Sequence, residues 1–295
     1  LSFYSMLNLA MITLAQQLLN LGGINTVLLF TLAGIFLSLS IVPVSLTLTL
    51  APTPVHKVSV DFAKVWRHSH IGIIGSIFSG LITGSFWALA PLYANDSGFS
   101  TFEMANFMSA VVLGGALFQI PLGRFSDKFD RRLILIFIAL AGAIISFSTF
   151  MTSFQGYYAG TISTVLGFLW GAFGMTMYAI CLAHANDNAD SCDFVDIGSA
   201  MLITYGLSSA IGAPIASTFM SLLGHQFLFV FMGISFILFC LILIVRRQSH
   251  ELPAMTEDNE EFHVIAGMTT PEIYNLDPRA EDSDADLEKE KRLDQ

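Results

Sequence analysis

The sequence has few charged residues for its length. Only 12% of its 295 residues are Asp, Glu, Lys or Arg, whereas 54% are hydrophobic, and the mean hydropathy is +0.67. This balance lies outside that of soluble globular domains, and it excludes a water-soluble fold for most of the chain. The charge is also uneven. From Gln248 onward there are 14 acidic and 4 basic residues, so this segment accounts for the whole net charge of −10.

Motifs of catalysis and cofactor binding are absent as well. The sequence has no P-loop and no cluster of His, Cys and carboxylates at metal-ligand spacing, and residues 206–210 (G-L-S-S-A) lack the final glycine of a nucleophile elbow. Cys181, Cys192 and Cys240 show neither paired nor metal-type spacing, so we interpret them as small core residues. We therefore predict no enzyme activity, no cofactor, no metal site and no nucleic-acid partner.

The chain also lacks an initiator Met, and we predict no cleavable signal peptide. It opens at Leu1 inside an apolar run, without the basic start and the small-residue cleavage site of a signal peptide. The sequence is therefore expected to begin within a longer protein.

Eight apolar runs are long enough to cross a bilayer, which takes about 20 residues of helix. Backbone groups in hydrocarbon must find partners within the segment, and these runs are continuous rather than alternating, so helices are predicted rather than barrel strands. The fold class is therefore all-α, a polytopic membrane protein. The predicted spans are 2–20, 25–49, 70–94, 101–121, 132–153, 156–183, 197–222 and 226–245.

Basic residues fall on one side of these spans. Nine lie before span three, between spans four and five, or after span eight, and the loops of the opposite side contain none. Because cytoplasmic loops collect Lys and Arg, we predict that the linker before span three and the C-terminal tail are cytoplasmic. The nine residues are Lys57, Lys64, Arg67, Arg124, Lys128, Arg131, Arg132, Arg246 and Arg247.

Composition divides the chain into four parts: 1–50 with two spans, a linker at 51–69, six spans at 70–247, and an acidic tail at 248–295. The linker has apolar residues at helical spacing, which predicts a short amphipathic helix at the membrane surface, with an ordinary solvated linker as the alternative. The tail is predicted to be disordered, with partner binding as a further alternative. The apolar linker residues are Val58, Phe62, Val65 and Trp66.

The densest charge outside the tail lies at residues 123–132 (G-R-F-S-D-K-F-D-R-R), between spans four and five. Two antiparallel helices joined so closely need a tight turn, and Gly123 is expected to supply it. Asp127 is expected to face helix N-termini or to pair with Arg131 or Arg132, and both arginines are expected to lie among lipid headgroups. A basic cytoplasmic turn with no further role is the simpler alternative.

This stretch resembles the cytoplasmic signature loop of major facilitator superfamily transporters, G-x-L-A-D-R-x-G-R-K. The matching residues are Gly123, Asp127, Lys128, Arg131 and Arg132, while Phe125, Ser126 and Asp130 replace Leu, Ala and the second Gly. Asp tolerates the left-handed conformation, so the turn is expected to persist. The loop lies between the second and third of six spans that follow a linker, which resembles spans 8 and 9 of the twelve-span family. The chain thus looks like spans 5 to 12, that is, eight of twelve helices of the family's bundle without spans 1 to 4.

A second stretch, residues 184–214, resembles spans 10 and 11 of a bacterial subgroup of uncharacterised permeases of this family. It contains A-x-A-N-D-x-A-D, then Phe194 and Val195, Tyr205 and Gly206, and finally Gly212, Ala213 and Pro214. The resemblance as a whole covers about 245 residues, leaves out the acidic tail, and says almost nothing about the substrate.

The resemblance implies a secondary transporter of a small solute in the cell inner membrane, working by alternating access and acting as a monomer when complete. Asp127 and its basic neighbours would clasp the cytoplasmic end of the first span in one state and release it in the other. The alternative is a non-transporting sensor or scaffold of the same fold. Because half of the pseudo-symmetric site would be incomplete, the chain alone is not expected to transport.

The spans carry no Lys, Arg, Asp or Glu near their middle. Residues that would couple transport to an ion therefore lie in the missing spans, or transport is not coupled through this part. Uncharged polar and aromatic side chains are left as candidates for lining a solute cavity, with interhelical contact as the alternative. The candidates are Asn8, Gln16, Thr83, Trp87, Asn106, Gln119, Trp170, Tyr178 and Tyr205.

Glycine and proline form a further pattern in the spans. Small residues let membrane helices approach closely, which predicts packing contacts at five glycines. Pro91 and Pro214 are expected to mark kinks or helix ends. The five glycines are Gly80, Gly84, Gly167, Gly171 and Gly174.

Overall fold

The computed structural model describes residues 2–21, 27–46, 65–66, 69–153, 159–187, 189 and 194–249. Within these ranges the chain is helical and has no strand, which confirms the all-α fold class. A 3-10 turn, Leu18–Leu21, extends the first helix. The helices are α1 (Ser2–Gln17), α2 (Val27–Leu46), α3 (His70–Asp96), α4 (Thr101–Lys128), α5 (Arg131–Thr152), α6 (Ala159–Gly174), α7 (Met177–Asn186), α8 (Phe194–Leu223) and α9 (Phe227–Ser249).

Six stretches of the described chain are long and apolar enough to cross a membrane, and they correspond to the third to eighth predicted spans. The first two predicted spans are also helical in their described residues: α1 and its 3-10 extension cover 2–21, and α2 covers 27–46. α1 has 16 residues, and the apolar part of α2 extends over Val27–Pro43. The chain is therefore a multi-pass membrane protein. The six stretches are His70–Asp96, Thr101–Lys128, Arg131–Thr152, Gly160–Asn186, Phe194–Leu223 and Phe227–Arg246.

Three pairs of helices form the bundle: α3 packs on α8, α4 on α6, and α5 on α9. Aromatic rings fill the space between the pairs. Trp170 of α6 is fully buried, stacks on Phe86 of α3 with ring centroids 4.6 Å apart, and donates its Nε1–H to the Ser146 hydroxyl at 3.1 Å. This one side chain therefore connects α3, α5 and α6.

Close helix contacts occur at four of the five predicted glycines: Gly80, Gly84, Gly167 and Gly171. The tightest lies between α4 and α6, where a Cβ on Gly171 would meet the backbone carbonyl of Val111. Gly174 is different, because the three atoms nearest to a Cβ at this position all belong to the Trp170 ring of its own helix. Four glycines thus set helix separation, as small residues do in membrane bundles.

The sixth predicted span is interrupted, which corrects the expectation of one continuous helix over 156–183. α6 ends at Gly174 and α7 begins at Met177. The Thr176 hydroxyl donates to the carbonyl oxygen of Ala172 at 2.7 Å, a back-bond that bends helices. In contrast, Pro91 and Pro214 lie inside α3 and α8, so neither ends its helix.

The first two helices differ in how they contact the bundle. α1 lies along α4, and Gln17 Nε2 donates to Ser109 Oγ at 2.8 Å and lies 3.4 Å from Asn106 Oδ1. α2 packs closely against no other helix of the described ranges. Each of its hydroxyls with a described hydrogen bond donates to a carbonyl of α2 itself, at 2.7 to 3.0 Å. These are Thr31, Ser38, Ser40 and Ser45.

Two predicted segments lie mainly outside the described residues. Of the predicted amphipathic helix only Val65 and Trp66 are described, and both are helical. Of the tail only Gln248 and Ser249 are described, and they continue α9 past the expected boundary at 247.

Candidate functional site

The charged stretch at 123–132 is mostly helix rather than turn. α4 continues through Gly123 to Lys128, and Gly123 is buried with an ordinary negative φ, which corrects the prediction that it forms the turn. Ser126 donates its hydroxyl to the Gly123 carbonyl at 2.8 Å, so this hydroxyl finds its partner within the same helix. Lys128 lies in the final turn, where the helix dipole favours a cation.

The turn itself falls at Phe129 and Asp130. Asp130 has φ −53°, so it does not use the left-handed conformation that was expected for it. It is the N-cap of α5, and its Oδ1 accepts the backbone N–H of Arg132 at 2.9 Å. An N-cap favours a short acceptor side chain and also tolerates Gly, which explains why Asp fits at a position where the family signature has Gly.

Arg131 is the centre of the site. Its side chain is only 3% exposed, and its guanidinium lies 3.2 Å from Asp127 Oδ1 and 3.0 Å from Asp187 Oδ2. The predicted pairing of Asp127 with Arg131 is thus confirmed. The expectation that Arg131 lies among headgroups is wrong, because two carboxylates hold it inside the bundle.

Asp187 is the residue that sequence reasoning missed. It follows α7 directly and brings the end of that helix to the start of α5. His184 lies close by, with Nδ1 3.8 Å from Asp187 Oδ2. The one available signal was the A-N-D sequence at 185–187 within the second family-like stretch.

This charge cluster, Asp127, Arg131 and Asp187, joins three helix ends. Ion pairs that share one buried guanidinium depend on each other, because losing one partner leaves the remaining charges uncompensated away from water. The cluster therefore favours one relative placement of α4, α5 and α7. A shift of any of these ends by a few ångströms would break at least one ion pair.

The remaining cations of the stretch lie outside the cluster. Arg124 and Lys128 are exposed, and Arg132 is half-buried. None of the three forms an ion pair with any residue that the structure describes. Arg131 therefore differs from its neighbours in both burial and pairing.

A second polar group lies within the membrane-spanning part, between α3, α7 and α8. Thr83 Oγ1 donates to the Ser79 carbonyl at 2.6 Å and is 2.8 Å from the Tyr205 hydroxyl. Because Thr83 has one proton and gives it to Ser79, Tyr205 is the donor of the second bond. The Tyr205 oxygen keeps its acceptor capacity, and the Tyr178 ring lies 5.0 Å from the Tyr205 ring. We call these three side chains the tyrosine cluster.

The other candidate lining residues are not brought into this cluster. Trp170 is fully buried and bonded to Ser146, Gln119 is buried in α4, and Trp87 is half-buried against Phe86. Asn106 lies near Gln17, a residue of α1 that sequence reasoning passed over in favour of Gln16. Asn8 and Gln16 are half-buried on α1. Among the described residues no group of His, Cys, Asp and Glu could hold a metal ion.

Two comparisons with known proteins indicate the same family. The profile of the Major Facilitator Superfamily matches residues 1–192. The chain is 31% identical over 188 residues to an uncharacterized MFS-type transporter, YcaD, of Shigella flexneri serotype 5b (strain 8401), and equally to YcaD of Escherichia coli (strain K12 / DH10B). Each alignment covers 62% of this chain and 46% of the relative, so the chain spans about half the length of these relatives. No solved structure matches.

These comparisons agree with two independent features of the molecule. One is the spacing of charges around Arg131, and the other is the bundle of six membrane-length helices. The matched region includes both the signature stretch and Asp187. This chain belongs to the Major Facilitator Superfamily.

Proposed function

We propose that the complete protein is a secondary transporter, a monomer in the cell inner membrane that moves a small solute by alternating access. The observation that carries this proposal is the shared guanidinium of Arg131, which ties α4, α5 and α7 together at one end of the bundle. In alternating access, halves of the protein rock as units around a central site. Helices tied at one end are suited to move as a unit. The transporter names of the relatives favour this function over a sensor or scaffold.

The direct test measures flux by the complete protein. Sealed vesicles with and without it are incubated with the small-molecule filtrate of a cell extract, and mass spectrometry compares the solutes inside. We expect at least one solute to be enriched or depleted only in vesicles that contain the protein. The same solute profile in both vesicle populations, from either side of the membrane, would contradict transport.

The charge cluster also has a proposed role in the transport cycle, which is to keep α4, α5 and α7 together as they move. Asp127 holds the buried guanidinium together with Asp187, so Asp127→Asn weakens the tie without changing the side-chain shape. We expect the variant to lower the flux of the solute found above by roughly tenfold, since a charge-assisted bond contributes about 1.5 kcal/mol or more. Asp130→Ser is the matched control, because it removes a nearby carboxylate but keeps an N-cap acceptor. Equal flux in both variants would refute this role of the cluster.

The tyrosine cluster is the part of the bundle that we propose for solute contact. The open acceptor of Tyr205 and the ring of Tyr178 offer a hydrogen bond and an apolar surface, and neither residue is charged. These groups suit a solute that presents an uncharged donor beside an apolar part. They are contributed by α3, α7 and α8, and the remaining contacts would come from the rest of the complete protein.

Tyr205→Phe tests this contact. Removing one hydrogen-bonding hydroxyl costs about 1 kcal/mol, so we expect the KM of the transported solute to rise roughly fivefold. Tyr93→Phe is the control, because it also removes a hydroxyl that bonds within the bundle, to Ser153 at 2.9 Å. If Tyr93→Phe raises KM as much as Tyr205→Phe does, the tyrosine cluster does not contact the solute.

A further inference from the structure

We propose that the acidic segment after α9, residues 250–295, binds a basic surface at one end of the bundle. Four cations form this surface: Arg124, Lys128, Arg132 and Arg246. We call this surface the basic rim. The proposal goes beyond transport and does not depend on it.

The basic rim consists of cations that form no ion pair with the described part of the bundle. Arg124 and Lys128 are exposed and one helical turn apart in α4, while Arg132 and Arg246 are half-buried at the ends of α5 and α9. Within the described ranges none of them pairs with a carboxylate, and both Asp127 and Asp187 already hold Arg131. The rim therefore has positive charge available for an anionic partner.

The acidic segment begins next to this rim. α5 and α9 pack against each other in opposite directions: Phe150 meets Phe227 with centroids 5.2 Å apart, and a Cβ on Gly142 would meet the Phe236 ring. Continuing this register along both helices places Arg246 opposite Arg132. α9 ends three residues later at Ser249, so the segment leaves the bundle at the same end as the rim.

The composition of the segment complements the rim. It contains 14 acidic and 4 basic residues, and its first dense group, residues 257–261 (E-D-N-E-E), is followed by Phe262, Val264 and Ile265. The rim likewise combines charge with apolar surface, because Phe125 and Phe129 are each 53% exposed with centroids 6.5 Å apart. Acidic groups can pair with the cations while the apolar residues cover the two rings.

Distance and tethering allow the contact. Eight residue steps separate Ser249 from Glu257, which an extended chain spans with up to about 27 Å. A segment tethered this closely reaches an effective concentration in the millimolar range. Anionic lipid headgroups are the competing occupant, but a segment of net charge −10 is repelled by an anionic leaflet and attracted to the rim. We therefore assign the rim to the segment.

Photo-cross-linking tests the contact without any transport assay. The full chain, in nanodiscs that contain anionic lipid, carries benzoylphenylalanine in place of Phe125, and mass spectrometry identifies the cross-linked peptides. We expect peptides from 250–295, with the highest yield around 257–265. The same replacement at Phe137, which is equally exposed on α5 but away from the rim, should give none of them. Adducts to lipid alone, or no adduct to the segment, would overturn the proposal.

Charge variants then test the cause of the contact. Neutralising the four acids of the first dense group (E257Q, D258N, E260Q, E261Q) should lower the cross-link yield roughly fivefold. Replacing Arg124, Lys128 and Arg132 by Gln should lower the yield by the same factor. The matched control neutralises four acids farther along, Asp284, Asp286, Glu288 and Glu290, and should change the yield less than twofold. Salt at about 1 M, where the Debye length is about 3 Å, should act like the first set. Equal yields for both acidic sets would exclude the assignment to residues 257–261.

Discussion

Replacing Arg131 by Gln is expected to lower the free energy of unfolding by about 3 kcal/mol. Breaking a buried ion pair is costly because the partners lose their counter-charge, and here one guanidinium serves two carboxylates. Asp127 and Asp187 remain partly exposed, at 23% and 15%, so water offsets some of the loss and keeps the value at the lower end of the range for buried pairs. Arg131→Lys should retain only part of this stability, since an ammonium group lacks the planar fork of donors that reaches both acids.

The measurement is thermal unfolding of the chain in detergent, followed by tryptophan fluorescence or by loss of the monodisperse fraction. Arg132→Gln is the control, because Arg132 is the adjacent arginine and forms no ion pair with any described residue. Adding Asp187→Asn to Arg131→Gln should restore part of the stability by removing one uncompensated carboxylate. If the two single arginine variants unfold at the same temperature, the cluster has no structural role.

Gly171→Ala should destabilise the bundle by about 2 kcal/mol or more. The added methyl group would meet the backbone carbonyl of Val111, which cannot rotate away as a side chain can. α4 and α6 would have to separate along their most closely packed surface, and overpacking of this kind costs about 1–3 kcal/mol.

Gly206→Ala is the control for this prediction. A Cβ at Gly206 meets nothing within 4 Å, and Ala is the better helix former by about 1 kcal/mol, so this variant should be neutral or slightly stabilising. Both variants make the same chemical change within membrane helices, and unfolding in the same detergent compares them directly. Equal stability of the two would show that α4 and α6 tolerate a wider separation.

The membrane helices could be predicted because the need to pair backbone groups in hydrocarbon is met within each helix. Every backbone group must find a partner within its own helix, so length and hydropathy identify six spans of α3–α9 from the sequence alone. The residues at which the helices end were less predictable. α4 continues seven residues past the predicted limit of 121, since charged residues beyond the apolar core still form helical hydrogen bonds. Gly123 was interpreted as a turn residue for the same reason.

Of the two ion pairs in the charge cluster, only the one between Asp127 and Arg131 could be predicted from the sequence. Asp127 and Arg131 are four residues apart, a spacing that brings side chains together on a helix or across its cap, and the sequence shows it. Asp187 is 56 residues further on, and nothing local indicates which helix end meets Arg131. Thr83 and Tyr205 are separated by 122 residues and were each proposed singly, without their mutual hydrogen bond. The periodicity of a sequence shows which residues share one side of a helix, but it does not show which other helix packs against that side.

The hydrogen bonds of α2 have a consequence for the biosynthesis of the chain. A helix enters the bilayer before later segments have been made, so any side chain that relies on a distant partner is unsatisfied at that stage. Thr31, Ser38, Ser40 and Ser45 avoid this cost because each bonds to a carbonyl within one turn of its own helix. Arg131 does not, since Asp187 is synthesised much later. α2 is therefore expected to settle in lipid early, while the charge cluster closes only after α7 has been inserted.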